Sequence, residues 1–168
     1  IDVITTMPNR YHSLKVLASK YEETNKLCIN RITLPEHKNG MFEQARAFVL
    51  FSFAVRKLIS KKKWDIVIAS SSRLMTAALG TYIAKQTNSK IYLDIRDLFT
   101  DTINDILKKK FLRILMPLFY LIEKWTFQSA DKLNIVSKGF LDYIKKVAPN
   151  LTPSTFVCRK HWRWSGAT

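Results

Sequence analysis

Arg96 and Asp97 are adjacent residues of opposite charge, with Asp94 shortly before them and Asp101 shortly after. A guanidinium can hold a phosphate through paired N–H donors, or it can orient a neighbouring carboxylate. A carboxylate in that position can take a proton from a hydroxyl or accept hydrogen bonds from a sugar. The same two residues can equally form structural ion pairs that fix a loop, and the spacing alone does not choose. Ser70-Ser71-Ser72 offers hydroxyls and backbone N–H groups at an expected helix N-terminus, where they can hold an anion or simply cap the helix. Asn9-Arg10 follows Met7-Pro8 in a turn-like stretch, and Ser137-Lys138-Gly139 supplies a further polar turn.

Strands must position these groups. Residues 1–5 (IDVIT) and 27–32 (LCINRI) are short extended runs. Residues 41–63 carry apolar side chains at 3- and 4-residue spacing through Phe42, Ala45, Phe48, Val49, Ser52, Phe53, Val55 and Leu58, which predicts a helix ending in Lys61-Lys62-Lys63. Residues 64–69 (WDIVIA) are apolar without alternation apart from Asp65, as in a strand buried on both faces. A helix over 74–87, a strand over 91–95, a polar loop from Arg96, a long helix over 105–129 bent or interrupted at Pro117, a strand over 132–136 and a helix over 140–147 complete the pattern. Alternating strands and helices predict an α/β fold with a doubly wound, mostly parallel sheet. Its strand-end loops then share one edge, which brings Asn9-Arg10, Ser70 to Ser72, Arg96-Asp97 and Ser137-Lys138-Gly139 together.

The bulk properties narrow the function classes. The chain has 168 residues, 47% of them hydrophobic, with 28 Lys+Arg against 13 Asp+Glu and a formal net charge of +15. Such an excess attracts polyanions: nucleic acid, an anionic membrane surface or phosphorylated substrates. Cys28 and Cys158 are too few and too far apart for a disulfide scaffold or a zinc site, and a reducing compartment is the simpler expectation. His12, His37 and His161 sit in separate segments, so no metal site is expected. The chain lacks G-x-x-x-x-G-K-[ST], G-x-G-x-x-G, H-E-x-x-H and G-x-S-x-G, which removes the main support for NTPase, dinucleotide-binding and zinc-protease readings. No apolar run is long enough to span a bilayer, and no signal peptide opens the chain, although Ile1 is not an initiator. Lys108, Lys109, Lys110 and Arg113 border the dense apolar stretch Ile114 to Ile122. Their arrangement fits an interfacial helix meeting anionic lipid, and equally a sheet-covering helix with solvated lysines.

The succession VITTMPN, a basic-aromatic helix, WDIVIASSS, DIRDLFTDTI and EKWTFQSADKLNIVSKGF resembles glycosyltransferase family 4, and more narrowly the bacterial sugar transferases of O-antigen and capsule assembly. That family's pattern has a strand ending in a Pro-Asn turn, a strand ending in Ser-Ser or Ser-Pro, R-D-L-W-P-D-S, and A-D-x-[IV]-x-x-V-S-x-G-F. The resemblance covers roughly residues 1–147. It implies a GT-B architecture and a Rossmann-like, acceptor-binding N-terminal domain over residues 1–150, with an irregular or abnormal tail over 151–168 and the second, nucleotide-sugar-binding domain absent. The intact protein would move a sugar from a nucleotide-sugar donor to a lipid-linked saccharide in cell-surface polysaccharide synthesis, and this part alone would lack turnover.

Carried onto this chain, the resemblance implies Asp97 and Arg96 as catalytic residues. Asn9, Arg10, Ser71, Ser72, Asp101, Ser137, Lys138 and Gly139 would line the acceptor cleft. Lys108, Lys109, Lys110 and Arg113 would face a membrane surface, placing the protein in the cytoplasm at the inner face of the cell membrane. No cofactor or metal is implied, because the leaving diphosphate of this fold is stabilised by cations and helix N-termini. Three departures stand out. One βα unit, on the order of 30 residues, is missing before Ile1. Phe99-Thr100 replaces Trp-Pro. From Arg159 the chain leaves the family pattern, as a frameshift or foreign tail would make it do. The alternative is a basic α/β module that binds nucleic acid or another polyanion without catalysis, but the chain shows no RNA-binding motif and no recognition helix, so nucleic acid is not expected.

Overall fold

A computed structural model describes residues 1–8, 18–35, 41–60, 62–71, 73–97, 114–151 and 154–155. The fold is mixed α/β, with two small, mostly parallel sheets and, among the described residues, four α-helices. The chain divides into two compact units, Ile1–Lys62 and Lys63–Thr168, and the boundary falls inside the 1–150 span expected as one domain.

In the first unit, β1 (Asp2–Thr6) pairs in parallel with β3 (Leu27–Ile32), and β2 (Tyr21–Thr24) pairs antiparallel with β3. The β2–β3 hairpin, closed by Asn25-Lys26, has no counterpart in the sequence expectation. All four β2 residues are exposed, so no apolar alternation announces the strand. It is held instead by polar contacts: Arg31 Nη1 pairs with Glu22 Oε1 at 2.7 Å, and the Tyr21 hydroxyl donates to Glu23 Oε2 at 2.5 Å. That last bond, with a further one involving Cys28, pushes the Tyr21 phenol above its ordinary value.

Helix α1 (Met41–Ile59) ends four residues before the expected Lys63. Lys62 leaves the helix direction and pairs with Asp2 at 2.9 Å, a hydrogen bond that raises the lysine above its ordinary value. The buried residues of α1 are Ala47, Val55 and Ile59, with Phe48, Phe51 and Ser52 half-buried. Phe42, Val49, Phe53 and Leu58, expected on the apolar face, are exposed. The helix is apolar around most of its circumference, so spacing alone could not select the face that packs.

The second unit holds β4 (Ile66–Ser71), α2 (Leu74–Thr87), β5 (Lys90–Ile95), α3 (Met116–Gln128), β6 (Lys132–Ile135), a 3-10 turn (Lys138–Phe140), α4 (Leu141–Val147) and β7 (Ser154–Thr155). Its four strands are all parallel, in the order β4-β5-β6-β7. Consecutive order means one winding direction within this sheet, without the reversal of strand order that defines double winding. β7 falls within the span expected to be irregular. Pro117 lies in the first turn of α3, where a missing N–H costs nothing, rather than at a bend inside a longer helix. The expected helical stretch before Ile114 lies outside the described residues.

Register explains the core. The row Ala69, Leu93, Leu133 and the row Ser71, Ile95, Ile135 share one face of the sheet. That face packs with α2, Phe127 of α3 and Ile144 of α4 in a single hydrophobic cluster. Helix α2 approaches β4 closely at Gly80, where an added Cβ would lie 2.5 Å from the Cβ of Ala69. β4 is not buried on both faces, contrary to its continuous apolar sequence. Val67 and Ala69 turn to the helices, whereas Ile66 and Ile68 on the other face are 50% and 66% exposed. Between α3 and α4 the Tyr143 hydroxyl donates to the buried Glu123 carboxylate.

Candidate functional site

The carboxyl ends of β4, β5 and β6 lie side by side, with Ser71 opposite Ile95 and Ile95 opposite Ile135. Two strand spacings, about 10 Å, separate the outer pair. Arg96 and Asp97 follow β5 directly, and the Arg96 N–H donates to the Ser71 carbonyl at 3.1 Å, extending the ladder by one bond. Ser137, Lys138 and Gly139 follow β6 at the same edge. Asn9, Arg10, Ser72, Asp101, Lys108, Lys109, Lys110 and Arg113 lie outside the described residues.

The side chains sort by face. Ser71 points to the helix-covered side and is buried. Its hydroxyl accepts from the Arg73 N–H and donates to the Arg73 carbonyl, both at 2.8 Å, which fixes the turn into α2. Arg73, the N-cap of α2, makes no side-chain capping bond. Ser137 Oγ accepts from the Gly139 N–H at 3.2 Å and so caps the 3-10 turn. Gly139 has no positive φ, and an added Cβ would make only ordinary contact, so the turn does not require glycine.

One residue earlier in each strand, the opposite face carries a polar row in which Asn134, not singled out from the sequence, joins Ser70 and Asp94. Ser70, Asp94 and Asn134 stand opposite one another in register. The Ser70 hydroxyl donates to Asp94 Oδ2 at 2.7 Å, and the Asn134 amide donates to Asp94 Oδ1 at 2.6 Å. Arg96 Nε lies 3.5 Å from Asp94 Oδ2. Burial works against the charged form of Asp94, but the bonds from Ser70 and Asn134 and the charge of Arg96 outweigh it, and the carboxyl sits below its ordinary value. The Asp94 side chain is 20% exposed and that of Arg96 64%.

No family model matches the chain, and a search of curated proteins finds no match.

The ion pair of Arg96 runs back to Asp94 on β5, and Asp97 stands exposed beside it. Both oxygens of Asp94 are engaged, which leaves Asp97 the more accessible carboxylate at this edge. The signal for the row was present in the sequence: Ser70, Asp94 and Asn134 each precede the last residue of an apolar strand. The Ala130-Asp131 dipeptide resolves into a structural role. Asp131 Oδ2 accepts from the Ile91 N–H at 2.8 Å, and the Asp131 N–H donates to the Ile91 carbonyl at 3.0 Å, tying the start of β6 to β5. Among the described residues no three of His, Cys, Asp or Glu gather as a metal-binding group, and no helix is long and apolar enough to cross a membrane.

Proposed function

We propose that the chain is the acceptor-binding part of a GT-B glycosyltransferase that moves a sugar from a nucleotide-sugar donor to a lipid-linked saccharide. The observation that supports it most is the shared carboxyl edge of β4, β5 and β6, with Arg96-Asp97 at its centre. Open α/β sheets bind ligands at that edge. In this reading the sheet belongs to a Rossmann-like, doubly wound domain. Asp97 accepts the proton of the attacking hydroxyl, and Arg96 holds phosphoryl oxygens. The donor nucleotide is bound mostly by a second domain.

The same reading puts the protein at the inner face of the cell membrane. An exposed apolar stripe supports it: Ile114, Leu118, Leu121 and Trp125 recur at 4-, 3- and 4-residue spacing along α3 and the turn before it. The Lys85 ammonium lies 5.3 Å from the centroid of the Trp125 ring, bringing a cation to that stripe. Lys108, Lys109, Lys110 and Arg113 precede it in sequence.

The test is sugar transfer by the protein expressed from its own gene with its flanking sequence. Radiolabelled nucleotide sugars and native membranes are supplied, and label is counted in the organic extract. Incorporation supports the reading. Absence of incorporation with every donor, together with salt-sensitive binding to DNA or RNA on filters, replaces it with the polyanion-binding module.

A further inference from the structure

The polar row on the face of the second sheet opposite the hydrophobic cluster has more organisation than an incidental ion pair. Its members sit on three adjacent strands in exact register, not on a loop, and their bonds converge on one carboxylate. Asn134 is buried and Asp94 half-buried, and the bonds between them restrain both side chains. Asp94 Oδ1 takes the Asn134 amide, while Oδ2 takes the Ser70 hydroxyl and faces Arg96 Nε. A carboxylate so occupied is poorly suited to accept a proton from a substrate. It is well suited to orient a guanidinium. A guanidinium engaged at Nε still has N–H donors on its other edge, in the paired arrangement that phosphoryl oxygens accept. Arginine loses considerable rotamer freedom on binding, and a partner that holds it beforehand reduces that loss.

We propose that Arg96 anchors a phosphoryl group at this edge and that Asp94 is its positioning residue, held by Ser70 and Asn134. The inference rests on the reading of this edge as a substrate site and adds to it how the arginine is aimed.

Isothermal titration of the full chain with inorganic pyrophosphate at fixed ionic strength tests it. Arg96→Gln raises Kd about tenfold or more, and Arg96→Lys does not restore binding, because a lysine ammonium is a single point donor and cannot pair with Asp94 on one edge while presenting two donors on another. Asp94→Asn gives the decisive result. Removing a negative charge beside an anion site tightens binding if Asp94 is a bystander, and weakens it if Asp94 holds the arginine. The expected result is a rise in Kd of about fivefold, with smaller rises for Ser70→Ala and Asn134→Ala. Lys124→Gln, which removes an exposed charge on α3, measures the generic effect and changes Kd less than about twofold.

Tighter binding by Asp94→Asn, or an Arg96→Gln effect no larger than that of Lys124→Gln, overturns the proposal. Thermal midpoints check folding. If Asp94→Asn does not fold, Ser70→Ala and Asn134→Ala decide, and unchanged Kd in both overturns the proposal. Failure of the glycosyltransferase reading is seen separately, as absent sugar transfer while the order of pyrophosphate affinities holds.

Discussion

The Asn134 amide and the Asp94 carboxylate meet across β6 and β5 at 2.6 Å, directly opposite in register. Hydrogen bonds to a charged group are worth more than neutral ones, about 1.5–3 kcal/mol each. The pair therefore ties together two strands whose other faces are already committed to the hydrophobic cluster.

The Asp94 carboxyl should titrate below the ordinary aspartate value of about 3.9. A folded-state value below the unfolded one stabilises the fold fully above the unfolded value, and that contribution is lost as pH falls through the folded value. The stability advantage of the parent over Asp94→Asn should accordingly be constant above about pH 5 and shrink below about pH 4. Carboxyl carbon NMR titration of Asp94 in the parent and in Asn134→Ala checks the cause, since losing the amide donor should move the titration upward. An unmoved titration in Asn134→Ala would show that the bond does not control the charge.

Gly80→Ala should destabilise the protein by about 1–3 kcal/mol, although alanine is the better helix former by about 1 kcal/mol. The new methyl would meet Ala69 Cβ at 2.5 Å, and overpacking against a strand outweighs helix propensity. Urea denaturation measures it. Adding Ala69→Gly should recover part of the loss by vacating the clash, and a non-additive double-mutant cycle is the signature of direct contact.

Under the proposed function, Asp97→Asn in the protein expressed from its own gene should reduce sugar transfer by a factor on the order of 10² or more while leaving vesicle binding intact. Near-normal transfer by a folded variant would assign Asp97 to the architecture of the loop alone.

Replacing Lys108, Lys109 and Lys110 by Gln should weaken flotation with anionic vesicles and spare binding to neutral ones. Each cation near anionic lipid contributes about 1 kcal/mol. Leu118→Ser with Leu121→Ser should weaken both, because their contribution is apolar and not screened by salt. Unaltered flotation of both variants with anionic vesicles would remove this surface from membrane contact.

The second unit was legible where periodicity and punctuation agreed. Helix α2 begins and ends at the residues read from the sequence, with buried Leu74, Ala77, Thr81 and Ala84 at helical spacing and Asn88 adopting the left-handed conformation that stops it. β5 and β6 were found to within one residue. The hairpin strand Tyr21–Thr24 was not, because its side chains are exposed and its stabilising partners lie on β3 or within the strand itself. In β4, Ile66 and Ile68 look like core by composition, yet only tertiary context decides which face of a strand is covered. At the candidate site, Arg96 and Asp97 stood out because opposite charges adjoin. Ser70 was read as part of an anion-binding or capping run and Asn134 was not singled out, since an uncharged polar residue in an apolar strand acquires its partner only when register reveals what it faces.

The consecutive order β4-β5-β6-β7 has a consequence for biosynthesis. Each strand pairs with the one made just before it, so the sheet can grow in step with the ribosome, without waiting for distant chain. Asp94 is synthesised 40 residues before Asn134. Until β6 docks, Asp94 lacks its amide donor and Arg96 lacks a fully fixed partner. The edge that would bind substrate is thus finished late in the assembly of the sheet, and a nascent chain stopped before β6 would carry the arginine without the means to aim it.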